Sequence, residues 1–513
     1  MLLPPATSSG RLGFRARAFG RKRAVRFRPV VSPAILVPAP HSSLRHNPPP
    51  APWPQRLLGW QTALLLVVSS WAGGGRLSWT PTAMLALVLA GIPLAVWALR
   101  TDEAKRRPSL RVFVPLSLWL LLLGCALLNP SYVRIATGAW APRPEWIPWL
   151  PSTVDRSITL RAELPWLAAL TQATLLVAVR PERRVVRFIW GAAAFNGFAL
   201  AAVGAALHFS GADHVLGLWE PGERWYFFAS FFYKNHWAAY GALGATAGTA
   251  LALRAWPRAR KGDPQARGEL LFFGSMAVLT AITLPLPGSR AGALLGGFVI
   301  MGFLGLILIN LWRDRVWSRR ARFTAALLAG ALVLAALVYG ADAYAYRARV
   351  DWERTLRQLS NVRHGRIDEV RLLLSRDTWR MAKARPVFGW GVGSFGLIFH
   401  LYQGNYLRGP DGRPNAWVEF AHDDWLQLLA EAGVVGFCVL LIPAGLLVRR
   451  GWREGGVAGR WGLAGCGAIA LFAWIDFPLN NPAVLMLGVV MLSSASELTG
   501  SGHRERFHPE ANR

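Results

Sequence analysis

His422 and Asp423 are followed, after nine residues, by Gly433-x-x-Gly436, where a polar stretch runs into a long apolar one. An imidazole titrates near neutrality and can take a proton from a hydroxyl nucleophile. A histidine solvated at a membrane interface accounts for the same position equally well. Asp423 or Asp424 offers a carboxylate to orient the ring. The two acids are also potential ligands for a divalent cation, but an adjacent pair without further clustered ligands is a weak metal signal. The glycines allow close approach of neighbouring backbone.

Cationic side chains at other segment ends suit a phosphate-bearing substrate. Arg290 begins Arg290-x-x-x-Leu294, and a fixed guanidinium there would grip a diphosphate bidentately and stabilise a leaving group's charge. Snorkelling to the interface is its bland alternative. Lys234 offers a second phosphate contact. It stands beside His236 and after Phe227, Phe228, Phe231, Phe232 and Tyr233, aromatics suited to a lipid chain or to a headgroup belt. Arg371, Arg376, Arg380 and Arg385 lie among Asp368, Glu369 and Asp377, a mixture that reads for the most part as a salt-bridged surface. Trp379 and Arg380 are the preferred pair within it. Asp476 opens an Asp-Phe-Pro-Leu-Asn-Asn-Pro turn and either joins the site or ends a helix.

The elements that must position these groups are membrane helices. Over 513 residues the chain is 53% hydrophobic and only 17% charged, too apolar for an ordinary soluble protein of this length. Its apolar residues fall into twelve blocks: 57–73, 81–99, 110–129, 164–179, 185–208, 236–254, 269–286, 291–312, 323–341, 425–448, 461–476 and 482–498. Their lengths suit a hydrocarbon core of about 30 Å. Backbone in lipid must satisfy its own hydrogen bonds, and alternating strand patterns are absent, so the fold class is all-α, a polytopic helical membrane protein.

The net charge of +29 is distributed by topology. Basic residues crowd alternate connections: Arg100 to Arg111, Arg180 to Arg187, Arg254 to Arg267, Arg313 to Arg322 and Arg449 to Arg460. The positive-inside rule makes those connections cytoplasmic, with both termini. No basic helix or aromatic reader motif accompanies the charge, which argues against nucleic acid and for contact with anionic membrane lipids. His422, Asp423, Arg290, Lys234, Arg380 and Asp476 then all fall on the outer side. Charge counting alone gives this shared sidedness.

The expected organisation is a basic, Pro-rich cytoplasmic tail over 1–56, spans one to nine over 57–341, a large outward loop over 342–424, spans ten to twelve over 425–498, and a short tail over 499–513. The tail holds ten Arg or Lys and no acid, and a transit peptide or a mistaken start codon fits that composition as well. In the loop, 350–360 and 366–384 have helical patterns, the second stopping before Pro386. Gly389-x-Gly391-x-Gly393 reads as a turn-rich connector, since it lacks the pattern and lysine of a nucleotide phosphate loop. Cys125, Cys438 and Cys466 each lie within a span and read as small buried hydrophobes.

These residues resemble a known family. An outward His, nine positions on from its polar neighbour a Gly-x-x-Gly, and an Arg-x-x-x-Leu at 290–294 are similar to motifs of bacterial O-antigen ligases. Trp379 to Phe395 resembles the wider ligase and polymerase superfamily, and the likeness covers roughly 225–445. It implies a GT-C-like membrane glycosyltransferase in the bacterial inner membrane. Such an enzyme moves a glycan from a polyprenyl-diphosphate-linked donor to a glycan or glycolipid acceptor at the periplasmic face, with no cofactor and no metal. Carried over, His422 is the base and Arg290 holds the donor phosphates. Lys234, Arg380 and Asp423 are added by location and charge. Position 423 holds Asp where the family carries Asn, Ser or Gln. Polymerase and protein oligosaccharyltransferase remain open readings. A transporter expects ionisable groups near the bilayer midplane and repeated halves, and neither pattern is evident.

Overall fold

The computed structural model describes residues 51–101, 108–135, 140–220, 227–313, 370–404 and 417–498. The chain is helical, as its apolar blocks require. Helices α1 (Trp53–Trp71), α2 (Thr80–Thr101), α3 (Val114–Leu128), α4 (Arg156–Val179) and α5 (Arg183–Phe209) lead to α6 (Lys234–Arg260), α7 (Pro264–Thr283) and α8 (Arg290–Arg313). After α9 (Val370–Ala384) come α10 (Asp424–Glu454), α11 (Gly456–Phe472) and α12 (Pro482–Ser494). Short side chains cap several of them. Asp155 accepts from the Ile158 amide at 2.8 Å, Asp263 from Gln265, and Asn481 from Ala483 and Val484.

Among the described residues, α2, α4, α5, α7, α8 and α10 are long and apolar enough to cross a membrane. The shorter apolar helices α3, α11 and α12 pack with them. The chain is therefore a polytopic helical membrane protein. Block 323–341 and the expected helix 350–360 lie outside the described residues, as do 1–50 and 499–513.

Helix α6 stands at the centre, packed by α5, α7, α8, α11 and α12. Its sequence is mostly Ala, Gly and Thr, and nearly every residue from Asn235 to Leu253 is buried. Small side chains let the neighbours approach closely, the usual basis of helix association in lipid. Trp237 and Tyr240 fill the space at its start, where Phe228 and Phe231 pack on them. The two readings of these phenylalanines, against a lipid chain or in a headgroup belt, are thus both corrected: each is at most 2% exposed, inside the protein.

The connection between α3 and α4 contains a two-stranded antiparallel ribbon, β1 (Tyr132–Arg134) and β2 (Trp140–Pro142), with Val133 opposite Ala141. No strand was expected there. This ribbon and the α9 region share a second core in which Val154, Leu374, Met381, Trp390, Phe395 and Phe399 are buried, with Tyr132 and Trp140 against them. Arg385 fastens the two segments. It donates to the Ser131 and Ser152 hydroxyls at 3.1 and 2.9 Å, and its guanidinium lies 4.2 and 3.8 Å from the rings of Trp146 and Trp390. Burial between those rings lowers its pKa to about 10.

Helix α10 is not a straight span. At Gly433 the backbone takes φ 63° and ψ −175°, a region that only glycine enters cheaply. Trp425 and Phe437 stand twelve residues apart, about 18 Å at helical rise, yet their ring centroids are 6.2 Å apart. The helix is an elbow. Residues 386–391 pack against the break and satisfy the freed backbone groups. Trp390 and Gly391 donate to the carbonyls of Ala430 and Glu431, and Val434 and Val435 donate to those of Pro386 and Val387. A side chain at Gly433 would strike the Val387 carbonyl, and one at Gly389 the Glu431 carbonyl. The Gly-x-Gly-x-Gly run and the Gly-x-x-Gly motif are the two halves of one clasp.

Candidate functional site

His422 precedes α10 and has φ 54°, a left-handed conformation that a non-glycine residue adopts only where its surroundings impose it. Three adjacent positions do separate work. Asp423 caps α10, accepting the Leu426 amide at 3.0 Å. Asp424 accepts the Leu479 amide and the Asn480 side chain, both at 2.6 Å, and so pins the α11–α12 turn to the start of α10. His422 is left presenting its ring, about a third exposed, toward that turn.

The ring's partner is Asp476, on the pinned turn: Nδ1 of His422 lies 3.3 Å from Asp476 Oδ1. Neither Asp423 nor Asp424 orients the ring, because capping and turn-fixing already occupy both carboxylates. Asp476 is 1% exposed and well supplied with donors: Tyr233 Oη at 3.2 Å, the Asn235 amide, and its own neighbour's backbone, Phe477 N, at 3.0 Å. Burial by itself would push its carboxyl up. The His422 hydrogen bond, the Arg371 charge and the Asn235 amide outweigh that and hold it below the usual carboxylate range. Burial, with this carboxylate alongside, pushes the Tyr233 phenol up, which keeps it a donor.

The network continues sideways. Asn235 Oδ1 accepts from Ser289 Oγ at 2.7 Å, and Ser289 in turn accepts the Gly292 amide at 2.9 Å, fixing the first turn of α8. Arg290 follows Ser289 directly and is exposed. Lys234 Nζ donates to the Gly288 carbonyl at 3.1 Å, tying the start of α6 to the same turn. Arg371, at the start of α9, donates to the Ile475 carbonyl at 3.0 Å, next to Asp476. His422, Arg290 and Lys234 are thus brought to one end of the bundle through shared hydrogen bonds.

Arg380 is placed differently. With Arg376 it flanks the fully buried Asp377, whose other oxygen accepts the Gly404 amide at 2.8 Å. It stands nine residues along α9 from Arg371, or about 14 Å at helical rise. The α9 arginine in contact with the Asp476 turn is Arg371.

An aromatic stack supports the pair. Phe477 lies parallel between Tyr233 (5.2 Å, 9°) and Phe420 (4.6 Å, 4°), and meets His422 and His236 edge-on at 4.8 and 5.1 Å. Arg76, in the α1–α2 turn, covers Phe420 with its guanidinium 4.8 Å from the ring centroid. Sequence reasoning passed over Arg76, although the argument that drew attention to Arg290 applies to it: an arginine in an outward turn runs against the positive-inside bias.

Residues 275–441 match the O-antigen ligase family model. No curated protein matches the chain at significant similarity. The matched segment holds Arg290, Arg371, His422 and both glycines of the elbow, while Asp476, Asn235, Lys234 and Arg76 come from outside it and complete the same cluster. The imidazole and the Gly-x-x-Gly elbow both lie within the segment that is similar to the O-antigen ligase family model.

Proposed function

We propose that this protein is a metal-independent glycosyltransferase of the bacterial inner membrane. It would have twelve spans in a GT-C-like arrangement and both termini in the cytoplasm. It transfers a glycan from a polyprenyl-diphosphate carrier to an acceptor sugar, lipid A-core or similar, at the periplasmic face. The observation that carries this reading is the His422–Asp476 pair, set among Arg371, Arg290, Lys234 and Arg76 at one end of a membrane bundle.

The chemistry follows from the contacts. With Asp476 ionised, Nδ1 of His422 carries the hydrogen that faces Oδ1, and the Nε2 lone pair is free to act as base. Nε2 takes the proton of the acceptor hydroxyl as its oxygen bonds to the anomeric carbon. The bond from that carbon to the diphosphate oxygen breaks on the opposite face, inverting the centre. The electron pair leaves with the diphosphate, where guanidinium groups meet the growing charge. Asp476 stabilises the imidazolium that forms.

The test is transfer in reconstituted vesicles from a polyprenyl-diphosphate oligosaccharide, with EDTA present. His422→Ala and Arg290→Ala should each reduce transfer by about 10²-fold or more while the protein stays folded. Product on a lipid-core acceptor identifies a ligase, lengthened lipid-linked chains a polymerase, and glycopeptide an oligosaccharyltransferase. Undiminished transfer by His422→Ala removes the base. Movement of intact donor across the bilayer without transfer makes the protein a transporter.

A further inference from the structure

At the opposite end of α6 from the reaction centre, arginines of two helices face one another. Arg254 lies about 30 Å along α6 from Lys234 at helical rise. Helices α5, α6 and α7 pack on one another. Gly197 of α5 meets the backbone of α6 at Gly244, and one turn on Ala194 meets Gly248. The same antiparallel register, carried two turns further, brings Arg187 level with Arg254 and Arg183 level with Arg258. Each of these arginines is partly buried. Glu269 of α7 is the acid whose charge reaches them, and its carboxylate already pairs with Arg258 at 2.6 Å.

The bonds these groups make do not account for their convergence. Guanidinium groups in partly dehydrated surroundings repel one another strongly, and Arg254 feels the charges of Arg187, Arg258 and Arg183. Arg187 gives its Nε to the Arg183 carbonyl at 3.3 Å. Arg254 Nε is buried and, among the described residues, makes no hydrogen bond. A buried donor without an acceptor is costly, and a native structure that keeps one calls for a partner. Positive-inside bias explains arginines in a connection, and not their gathering around a buried donor. Beside the cluster, Leu271, Phe272, Leu279 and Ile282 form an exposed apolar strip along α7 that begins within one turn of Glu269.

We infer that Arg183, Arg187 and Arg254 hold the phosphate of an anionic glycerophospholipid, of the phosphatidylglycerol kind, from the leaflet at that end of the bundle. A phosphodiester carries its negative charge on two equivalent oxygens, which accept parallel hydrogen bonds from a guanidinium. Between α5 and α6 it turns the repulsion of facing arginines into attraction to a shared anion. The apolar strip selects a lipid over free phosphate, because it offers acyl chains a surface continuous with the charged cluster. The site lies outside the segment similar to the family model and is remote from His422. It therefore stands or falls separately from the proposed glycosyl transfer.

Binding is read on the full-length protein in dodecyl maltoside, an uncharged detergent, with radiolabelled phosphatidylglycerol as the probe. Wild type should take up the label saturably, and unlabelled phosphatidylglycerol should displace it where zwitterionic phosphatidylcholine does not. Arg254→Gln and Arg187→Gln should each weaken binding about tenfold or more, the scale of losing one charge-assisted hydrogen bond. Arg453→Gln, at an exposed position near the far end of α10, controls for bulk attraction and should bind as wild type does. Equal affinity in all four proteins, or displacement by phosphatidylcholine, overturns the inference. Displacement by an equal concentration of inorganic phosphate overturns the lipid assignment and makes the ligand a free anion. A second measurement is the thermal midpoint in the same detergent, stripped of lipid. Arg254→Gln removes one of the repelling charges, so its midpoint should equal or exceed that of wild type. Added phosphatidylglycerol should then raise the wild-type midpoint more than the variant's. A lower midpoint for the lipid-free variant would mean that the guanidinium is already bonded within the protein, and the site would be lost with it.

Discussion

Asp476 does at the residue scale what neither neighbour of His422 can. Asp423 and Asp424 follow His422 in sequence, but the first caps α10 through Oδ1 and the second holds the α11–α12 turn with both oxygens. The ring partner comes from 54 residues downstream. Replacing Asp476 with Asn removes the negative charge facing the ring and leaves one accepting oxygen where the Phe477 amide donates to Oδ1 and Tyr233 and Asn235 to Oδ2. Transfer should fall by about 10²- to 10⁴-fold, by analogy with the orienting carboxylate of hydrolase triads, with kcat carrying the loss; a loss confined to KM would mean that Asp476 serves binding. The depressed carboxyl has a pH signature as well. Asp476 contributes stability above its unfolded pKa, and that stability is lost as pH falls through the lower folded value. Acidification below about pH 4 should therefore cost wild type more thermal stability than it costs Asp476→Asn. The turn holding Asp476 was legible as a candidate in the sequence. The pairing was not, because residue order gives no information on which carboxylate is already spent.

At the element scale the elbow of α10 decides where His422 stands. Its arm 424–432 is held by the backbone of 386–391 and by the α11–α12 turn, so the residue before it is fixed from two segments. Gly433→Ala adds a methyl group against the Val387 carbonyl in a backbone region closed to side chains. The cost should be at least about 1–3 kcal/mol, read as a lower thermal midpoint in detergent, and activity should drop even in the folded fraction. Gly467→Ala, where a Cβ has open space, is the control and should leave stability within about 0.5 kcal/mol or raise it slightly. Equal midpoints for wild type and Gly433→Ala would mean that the elbow is not under the constraint described. Both glycine runs could be read as turn or close-approach signals from their composition. That they clasp each other required knowing that a loop segment lies inside a broken helix, a long-range backbone pairing that local periodicity does not encode. The β1–β2 ribbon escaped notice for a related reason: three-residue strands are too short to show alternation.

On the scale of the whole molecule the chain separates two kinds of charge. Arg258 pairs with Glu269 at 2.6 Å where α6 ends and α7 begins, and Arg450, near the far end of α10, pairs with Glu497 at 2.6 Å. The starts of α6, α8 and α10 meet in the His422–Asp476 cluster, at the opposite ends of α6 and α10 from those pairs. The helical class and the long apolar spans were the most legible features, because hydrocarbon thickness constrains them directly, and loop charge adds an expected sidedness. The same physics makes the orientation testable without any assay of transfer. In a background with Cys125, Cys438 and Cys466 replaced by Ala, single cysteines at Arg143 in the ribbon loop and at Trp417 should react with a membrane-impermeant maleimide in spheroplasts. Cysteines at Lys261 and Arg453 should react only after permeabilisation. The reverse pattern would put the imidazole and its arginines on the cytoplasmic side, where a periplasmic acceptor could not reach them. In that case the positive-inside reading and the proposed transfer would fail together, even with the hydrogen-bonded cluster intact. Labelling of 143 and 261 from the same side would instead break the helix count between them, since α4, α5 and α6 intervene and an odd number of crossings must separate those two sites.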